Sequence, residues 1–160
     1  MELEKGINIY DRAVKTGNET LDTLLTERSL LCERLSITFS CIIDGASLDF
    51  LSPGDIYSLF GNAVDNAIDA VNRLDSSDER IISLTVRRRM GMLSILIDNC
   101  YAGTITFSDG LPKTSKPDAA EHGFGMRSIR MIVQKYGGEM TVTADELFHL
   151  SILLPIPPQA

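Results

Sequence analysis

Asn62 and Asn66, four residues apart in the run GNAVDNAIDAV (61–71), are the side chains whose type and spacing most invite chemistry. At about 100° per residue, Asn62, Asn66, Asp69 and Arg73 fall within roughly a 60° arc of a helix. Ile56, Leu59, Phe60, Ala63, Ala67, Ala70, Val71 and Leu74 fill the neighbouring face. Asparagine is a poor helix former, and its amide costs stability unless it finds partners. Two on one edge therefore suggest a ligand that supplies oxygens, water or a cation. A solvated stripe on an amphipathic helix competes with that interpretation on equal terms.

Two further segments carry chemistry of the same kind. In ILIDNCYAG (95–103), Asp98 ends an apolar strand just before small residues and a turn. A carboxylate there is partly desolvated and calls for a donor, such as the exocyclic amine of a purine. An ordinary strand-ending turn is the commoner fate of an Asp-Asn pair. In EHGFGMRSI (121–129), Gly123 and Gly125 lead straight into a helix, where glycine lets the backbone approach an anion and the first amides point at it. This is not the dinucleotide fingerprint, because Ser128 stands in place of the third glycine, and no GxxxxGK[ST] loop exists in the chain.

The elements that must hold these residues are legible from hydrophobic period. Leu21, Leu24, Leu25, Leu31 and Leu35 predict an amphipathic helix over 20–36, with Asn18 or Thr20 as its cap. Ile37 to Ile43 alternates as a strand and is closed by Asp44-Gly45. Ser52 and Pro53 suit the N-cap and first turn of the asparagine helix. Strands are expected at 81–86 and 92–97, joined across RRRMG as a hairpin. From 98 to 125 no period is sustained, as in a functional lid. A short helix from Met126 to Tyr136, stopped by Gly137-Gly138, and strands at 139–144 and 148–154 complete the chain, which ends at PIPP. Interspersed helices and hairpins favour a mixed sheet with helices layered on one face, leaving a place for a ligand.

Composition removes several alternatives. At 160 residues the chain is the size of one domain, and 44% hydrophobic with 23% charged residues is ordinary for a soluble globular protein. A net charge of -7 argues against a nucleic-acid partner, and the basic run Arg87–Arg89 reads as solvated turn residues. No apolar stretch reaches membrane-spanning length and MELEKGINIYDRAVKTG has no signal-peptide core, so a soluble, intracellular chain is expected. Cys32, Cys41 and Cys100 have neither disulfide nor zinc spacing and read as reduced thiols. His122 and His149 lack the HExxH spacing, and His149 reads as a structural strand residue.

Taken in order, an asparagine helix, an Asp at a strand end about thirty residues on, a lid and a glycine pair resemble the catalytic, ATP-binding domain of sensor histidine kinases. That domain lies within the superfamily of gyrase, the ninety-kilodalton heat-shock chaperones and the mismatch-repair ATPases. The likeness covers the chain from about residue 16: GNAVDNAIDAV is similar to the N box, DNCYAG to the G1 box and HGFGMRSI to the G2 box. TGNETLDTLL, DGLPKTSK and IVQKYGGEM resemble most the peptide-sensing quorum kinases of Gram-positive bacteria.

The resemblance implies a Bergerat-type α/β two-layer sandwich: a mixed, largely antiparallel sheet of about five strands with about three helices on one face. It implies ATP and Mg²⁺ as ligands, with Asn66 coordinating the metal and Asn62 assisting through its water shell. It implies an adenine contact from Asp98, or, if the G1 box is shifted by one residue, from Asn99 with Gly103 as the last glycine. Cys100 and Ala102 depart from the glycines of that box. The G2 residues Gly123, Phe124, Gly125 and Met126, with Lys116 and His122 of the lid, would surround the phosphates. Superfamily members that hydrolyse ATP keep a glutamate where Asn62 stands, and an asparagine cannot take a proton. That favours transfer to a histidine imidazole, carried in such kinases on an upstream dimerisation hairpin, with a response regulator as the later partner.

No histidine precedes His122, so residues 16–160 are expected to be the ATP-binding domain and residues 1–15 the stub of that hairpin, or expression-derived. The parent would be a membrane-anchored receptor kinase with this segment in the cytoplasm. A serine kinase of the anti-sigma-factor type, or a non-catalytic nucleotide- or partner-binding module, are the competing assignments.

Overall fold

A computed structural model describes residues 14–113 and 119–158, with side chains omitted for 119–124. The first helix, α1 (Glu19–Arg34), begins where the Asn18 side chain accepts from the Leu21 amide at 3.0 Å. Strand β1 (Thr38–Ile43) follows, then a 3₁₀ turn at Gly45–Leu48. The asparagine helix α2 (Pro53–Asn72) starts as its sequence predicts, with Pro53 in the first turn and Ser52 Oγ accepting from the Asp55 amide. Strands β2 (Ile81–Arg89) and β3 (Met92–Asn99) form a hairpin. A small hairpin of β4 (Phe107–Ser108) and β5 (Leu111–Pro112) precedes α3 (Ala119–Lys135). Strands β6 (Glu139–Ala144) and β7 (Phe148–Pro155) close the chain.

The main sheet has the order β1-β2-β3-β7-β6, with β1 parallel to β2 and every other neighbour antiparallel. All three helices lie on one face, so the two-layer sandwich with a mixed sheet of five strands is as expected. Strand alternation explains the layering. Leu84, Val86, Leu93, Ile95, Ile97, Leu150, Ile152 and Leu154 are buried against the helices, while the residues between them face the open side.

Three expectations need correction. The β2–β3 turn is Met90-Gly91 alone, both at positive φ (52° and 79°), so Arg87–Arg89 are paired strand residues opposite 92–94. Such a two-residue turn matches the twist of antiparallel strands and needs a residue free to take positive φ. The segment 98–125 is not structureless, since it holds β4, β5 and the start of α3. Finally, α3 begins at Ala119, seven residues before its apolar period starts at Met126. The apolar period marks the part of a helix that packs, and the residues before Met126 carry no such period.

Two contacts fix helix ends. Arg80 donates to the Leu74 carbonyl from Nε (3.1 Å) and Nη2 (2.9 Å), and to the Leu35 carbonyl from Nη1 (2.7 Å). One guanidinium thereby satisfies carbonyls just past the ends of α1 and α2. At the end of α3, Gly137 (φ +73°) donates to Gln134 and Gly138 donates to Val133. This is the left-handed helix stop that glycine alone adopts without strain.

A Cβ on Gly138 would be driven into the Leu153 carbonyl oxygen and the Leu154 side chain, whereas one on Gly54 would meet nothing within 4 Å. Gly138→Ala should therefore destabilise the fold by roughly 1–3 kcal/mol. Gly54→Ala, in the first turn of α2, should be neutral or stabilising by up to about 1 kcal/mol. Urea denaturation of both variants checks the contrast, and a Gly138→Ala midpoint equal to the parent's would show that β7 yields without cost.

Candidate functional site

The sequence of α2 buries Ile56, Leu59, Phe60, Ala63, Val64, Ala67, Ile68 and Val71 and leaves Asn62 and Asn66 half-buried at the edge of that face. Asn62 Nδ2 donates to Ser58 Oγ at 3.4 Å, one turn earlier, which leaves Asn62 Oδ1 as the outward acceptor. The Asn66 side chain makes no hydrogen bond among the described residues. Asp65, between them on the other edge, is taken by Arg28 of α1 (Nε to Oδ1, 2.8 Å).

The first amides of α3 are those of residues 119–122, so Gly123 and Gly125 sit within the helix instead of opening it. Gly125 has no positive φ, contrary to the freedom a cradling glycine would use. Its position faces α2, where a side chain would come into ordinary contact with the asparagine helix. A Cβ at Gly125 would stand 3.5 Å from Asn62 Oδ1. Gly125 of the glycine pair and Asn62 of the asparagine stripe, sixty-three residues apart in sequence, thus meet at the α2–α3 crossing. Met126, the neighbouring residue, is buried with Ile129, Ile132 and Val133 and belongs to the core. Lys116 lies outside the described residues, as do the side chains of His122 and Phe124.

Strand alternation separates Asp98 from Asn99. Asn99 is 3% exposed, the only buried polar residue among the described ones, and lies on the helix-covered face in line with Leu93, Ile95 and Ile97. Its Nδ2 donates to the Cys100 carbonyl at 2.8 Å, and no donor among the described residues reaches its Oδ1. Asp98 is on the opposite, open face, directly across from His149 of β7. His149 Nδ1 lies 2.5 Å from Asp98 Oδ1 and its Nε2 3.1 Å from Asp145 Oδ1, so the imidazolium form would donate to both carboxylates. Asp98 is thus committed to an ion pair on the far side of the sheet. Gly103 follows at a bend with φ +81° and nothing near its absent side chain.

The chemistry on offer is that of neutral oxygens. No group of three or more His, Cys, Asp or Glu among the described residues could hold a metal. The amide oxygens of Asn62 and Asn66 nevertheless suit a hard divalent cation that takes its remaining ligands from phosphate and water. Two of the thiols are inert: burial pushes Cys32 up to about 11 and Cys41 up to about 12, so both stay protonated at neutral pH. Sequence reasoning missed the Asp98–His149–Asp145 chain, because its members meet only once the β3–β7 register is known.

Comparison with known proteins gives the same picture from another side. The sequence profile of the family described as "GHKL domain" matches residues 51–155. No curated protein matches the sequence. Among solved structures, the catalytic domain of histidine kinase ThkA superposes with a TM-score of 0.63 at 16% identity, covering 89% of this chain and 93% of that one. Acinetobacter baumannii histidine kinase AdeS gives 0.59 at 10% identity, and this chain spans 64% of its length while 88% of this chain is covered. The histidine kinase domain of the Erythrobacter litoralis EL346 blue-light activated kinase gives 0.53 at 18%, with 83% of this chain and 59% of that one covered. At such identities the likeness is one of fold.

The ion pair on the open face makes a pH-dependent contribution to stability. Its bond to Asp98, and secondarily the one to Asp145, raises the pKa of His149. Stability from this source is complete below the unfolded value of about 6.5 and is lost as pH rises through the raised folded value. The difference in unfolding free energy between the parent and His149→Phe should therefore be larger at pH 6 than at pH 9. Urea titrations at the two pH values measure it, and an equal difference at both would mean that the imidazolium charge plays no part.

Proposed function

The chain belongs to the GHKL domain family, and from that premise we propose that it is the catalytic, Mg²⁺-ATP-binding domain of a sensor histidine kinase. The observation that carries this is the crossing at which Gly125 of α3 meets Asn62 of α2, because it unites the two segments whose chemistry suits phosphate and cation. In this proposal Asn66 and Asn62 offer their amide oxygens to the metal, which when bound neutralises phosphate charge. Gly125, where α3 crosses α2, keeps a side chain off Asn62, and with Gly123 it would let phosphate approach the backbone. Asn62 leaves water without a base, which favours transfer to an imidazole held in line over hydrolysis. The acceptor histidine would come from a dimerisation domain outside residues 16–160, and a response regulator would take the phosphoryl group next.

For the base, Asn99 is the better partner than Asp98, as the one-residue shift of the G1 box allows. Asn99 is a buried residue whose Nδ2 is held by the Cys100 carbonyl, while its Oδ1 has no donor among the described residues. An acceptor so fixed suits the adenine amino group and disfavours guanine, which presents a carbonyl there. Membership among the quorum kinases of Gram-positive bacteria, a membrane-anchored parent and a cytoplasmic site of action belong to the same proposal. Consistent with it, no helix among the described residues is long and apolar enough to cross a membrane.

Asn66→Ala should weaken Mg²⁺-ATP binding by roughly tenfold or more, with no matching fall in Tm, since its side chain holds nothing else in place. Calorimetric titration paired with thermal unfolding measures both, and unchanged affinity would reduce the stripe to a solvated edge. Asn99→Ala should weaken ATP by about tenfold yet leave inorganic tripolyphosphate untouched. An equal loss for both ligands would remove the base contact from this residue.

A further inference from the structure

Four residues close a ring around the turn that carries Asn99. Asp98 and His149 are cross-strand partners joined at 2.5 Å, and His149 reaches on to Asp145 at 3.1 Å. Tyr101 returns the chain to its start by donating its hydroxyl to the Asp145 carbonyl at 2.6 Å. Asp145 is itself held in the β6–β7 turn, where its amide donates to the Leu147 carbonyl and its carboxylate accepts from the Leu147 amide. Residues 98 and 101, which flank Asn99 and Cys100, are thereby both fastened to the same hairpin. Asn99 points the other way, into the helix-covered layer.

We propose that Asp98, His149, Asp145 and Tyr101 act as one positioning unit that holds the Asn99 amide in place for the nucleotide base, so that base affinity depends on the protonation of His149. The inference rests on the assignment of Asn99 to the base. A single strand end followed by a coil would leave that amide free to swing, whereas a turn anchored at both ends presents Oδ1 in one orientation. The ring sits on a sheet face whose other inward positions near it are uncharged. Ser83 of β2 lies opposite Asp98, and Thr143 of β6 lies opposite His149. The charged and titratable groups around His149 are therefore Asp98, Asp145, the Tyr101 phenol and, in the turn beside Asp145, exposed Glu146. An imidazolium donates from both nitrogens, but neutral imidazole has one N–H and cannot serve both carboxylates. Losing the proton opens the ring on one side or the other.

The test titrates the whole chain with ADP and, separately, with inorganic tripolyphosphate, at pH 6 and pH 9, for the parent and for Tyr101→Phe, His149→Phe and Asn99→Ala. Tripolyphosphate reports how much of any pH effect comes from the phosphates themselves. Tyr101→Phe removes one hydroxyl from an exposed hydrogen bond, so the fold survives it. The proposal expects Tyr101→Phe to raise the Kd for ADP roughly five- to tenfold with tripolyphosphate unchanged. It also expects parent ADP affinity, corrected by tripolyphosphate, to weaken from pH 6 to pH 9, and His149→Phe to be weak and flat across that range. If Tyr101→Phe and His149→Phe bind ADP like the parent at both pH values while Asn99→Ala binds it weakly, the ring is a structural clamp only and the proposal falls. If Asn99→Ala itself binds ADP like the parent, the base assignment falls first and takes the ring with it.

Discussion

Everything near the candidate site follows from the burial of α2 between the sheet, α1 and α3. Fully burying a side chain such as Leu59, Phe60, Ile56 or Val64 contributes about 1.5–3 kcal/mol, against about 1 kcal/mol for an ordinary hydrogen bond. The rotation of α2 about its axis is therefore set by its apolar face, and its polar edge takes whatever direction is left. Charged contacts then trim the placement without deciding it. Arg28 holds Asp65 from α1, while Lys135 and Tyr136 at the end of α3 hold Asp55 at 2.7 and 2.5 Å. The bond from Lys135, and then that from Tyr136, keeps the Asp55 carboxyl below its ordinary value. Tyr136 is itself stacked edge-on against Phe50 at 6.0 Å. With α2 pinned on both flanks, the half-buried edge that carries Asn62 and Asn66 has one direction to face, and Asn62 there meets Gly125.

The second constraint is parity along β3. Side chains of a strand alternate between faces, so a one-residue shift sends a residue to the opposite side of the sheet. Asp98 and Asn99 are adjacent, and only the pairing of β3 with β7 settles which of them enters the layer under the helices. The carboxylate is the one turned outward, where His149 meets it. Burying that charge in the helix layer without a cation would be costly, whereas a neutral amide can be buried with one bond to its own turn.

These two constraints also explain what could be read from the chain alone. The period of α2, its cap at Ser52 and the mixed sheet were legible because local spacing and burial agree along those segments. The start of α3 at Ala119 was not, since the residues before Met126 carry no apolar period, and without one only propensity is left to read. The Asp98–His149 pair was invisible for a different reason. Its partners are 51 residues apart and are joined only by register, which a single sequence does not reveal. The strand extent of Arg87–Arg89 was hidden by polarity, because charged residues at a hairpin's tip look the same paired or looped.

Arg80 deserves a mechanical description as well as an electrostatic one. Its three hydrogen bonds run to Leu35 just beyond α1 and to Leu74 just beyond α2, so one planar cation rivets two rods at a common end. Because β2 begins at the next residue, the rivet is also seated in the sheet. A lengthwise tug on α1 cannot be relieved by sliding it past α2 unless these bonds break. The load passes instead to the helix that bears Asn62 and Asn66. Stiffness of this sort turns the pair of helices and their sheet into a single lever, with its fulcrum at the end remote from the start of α1.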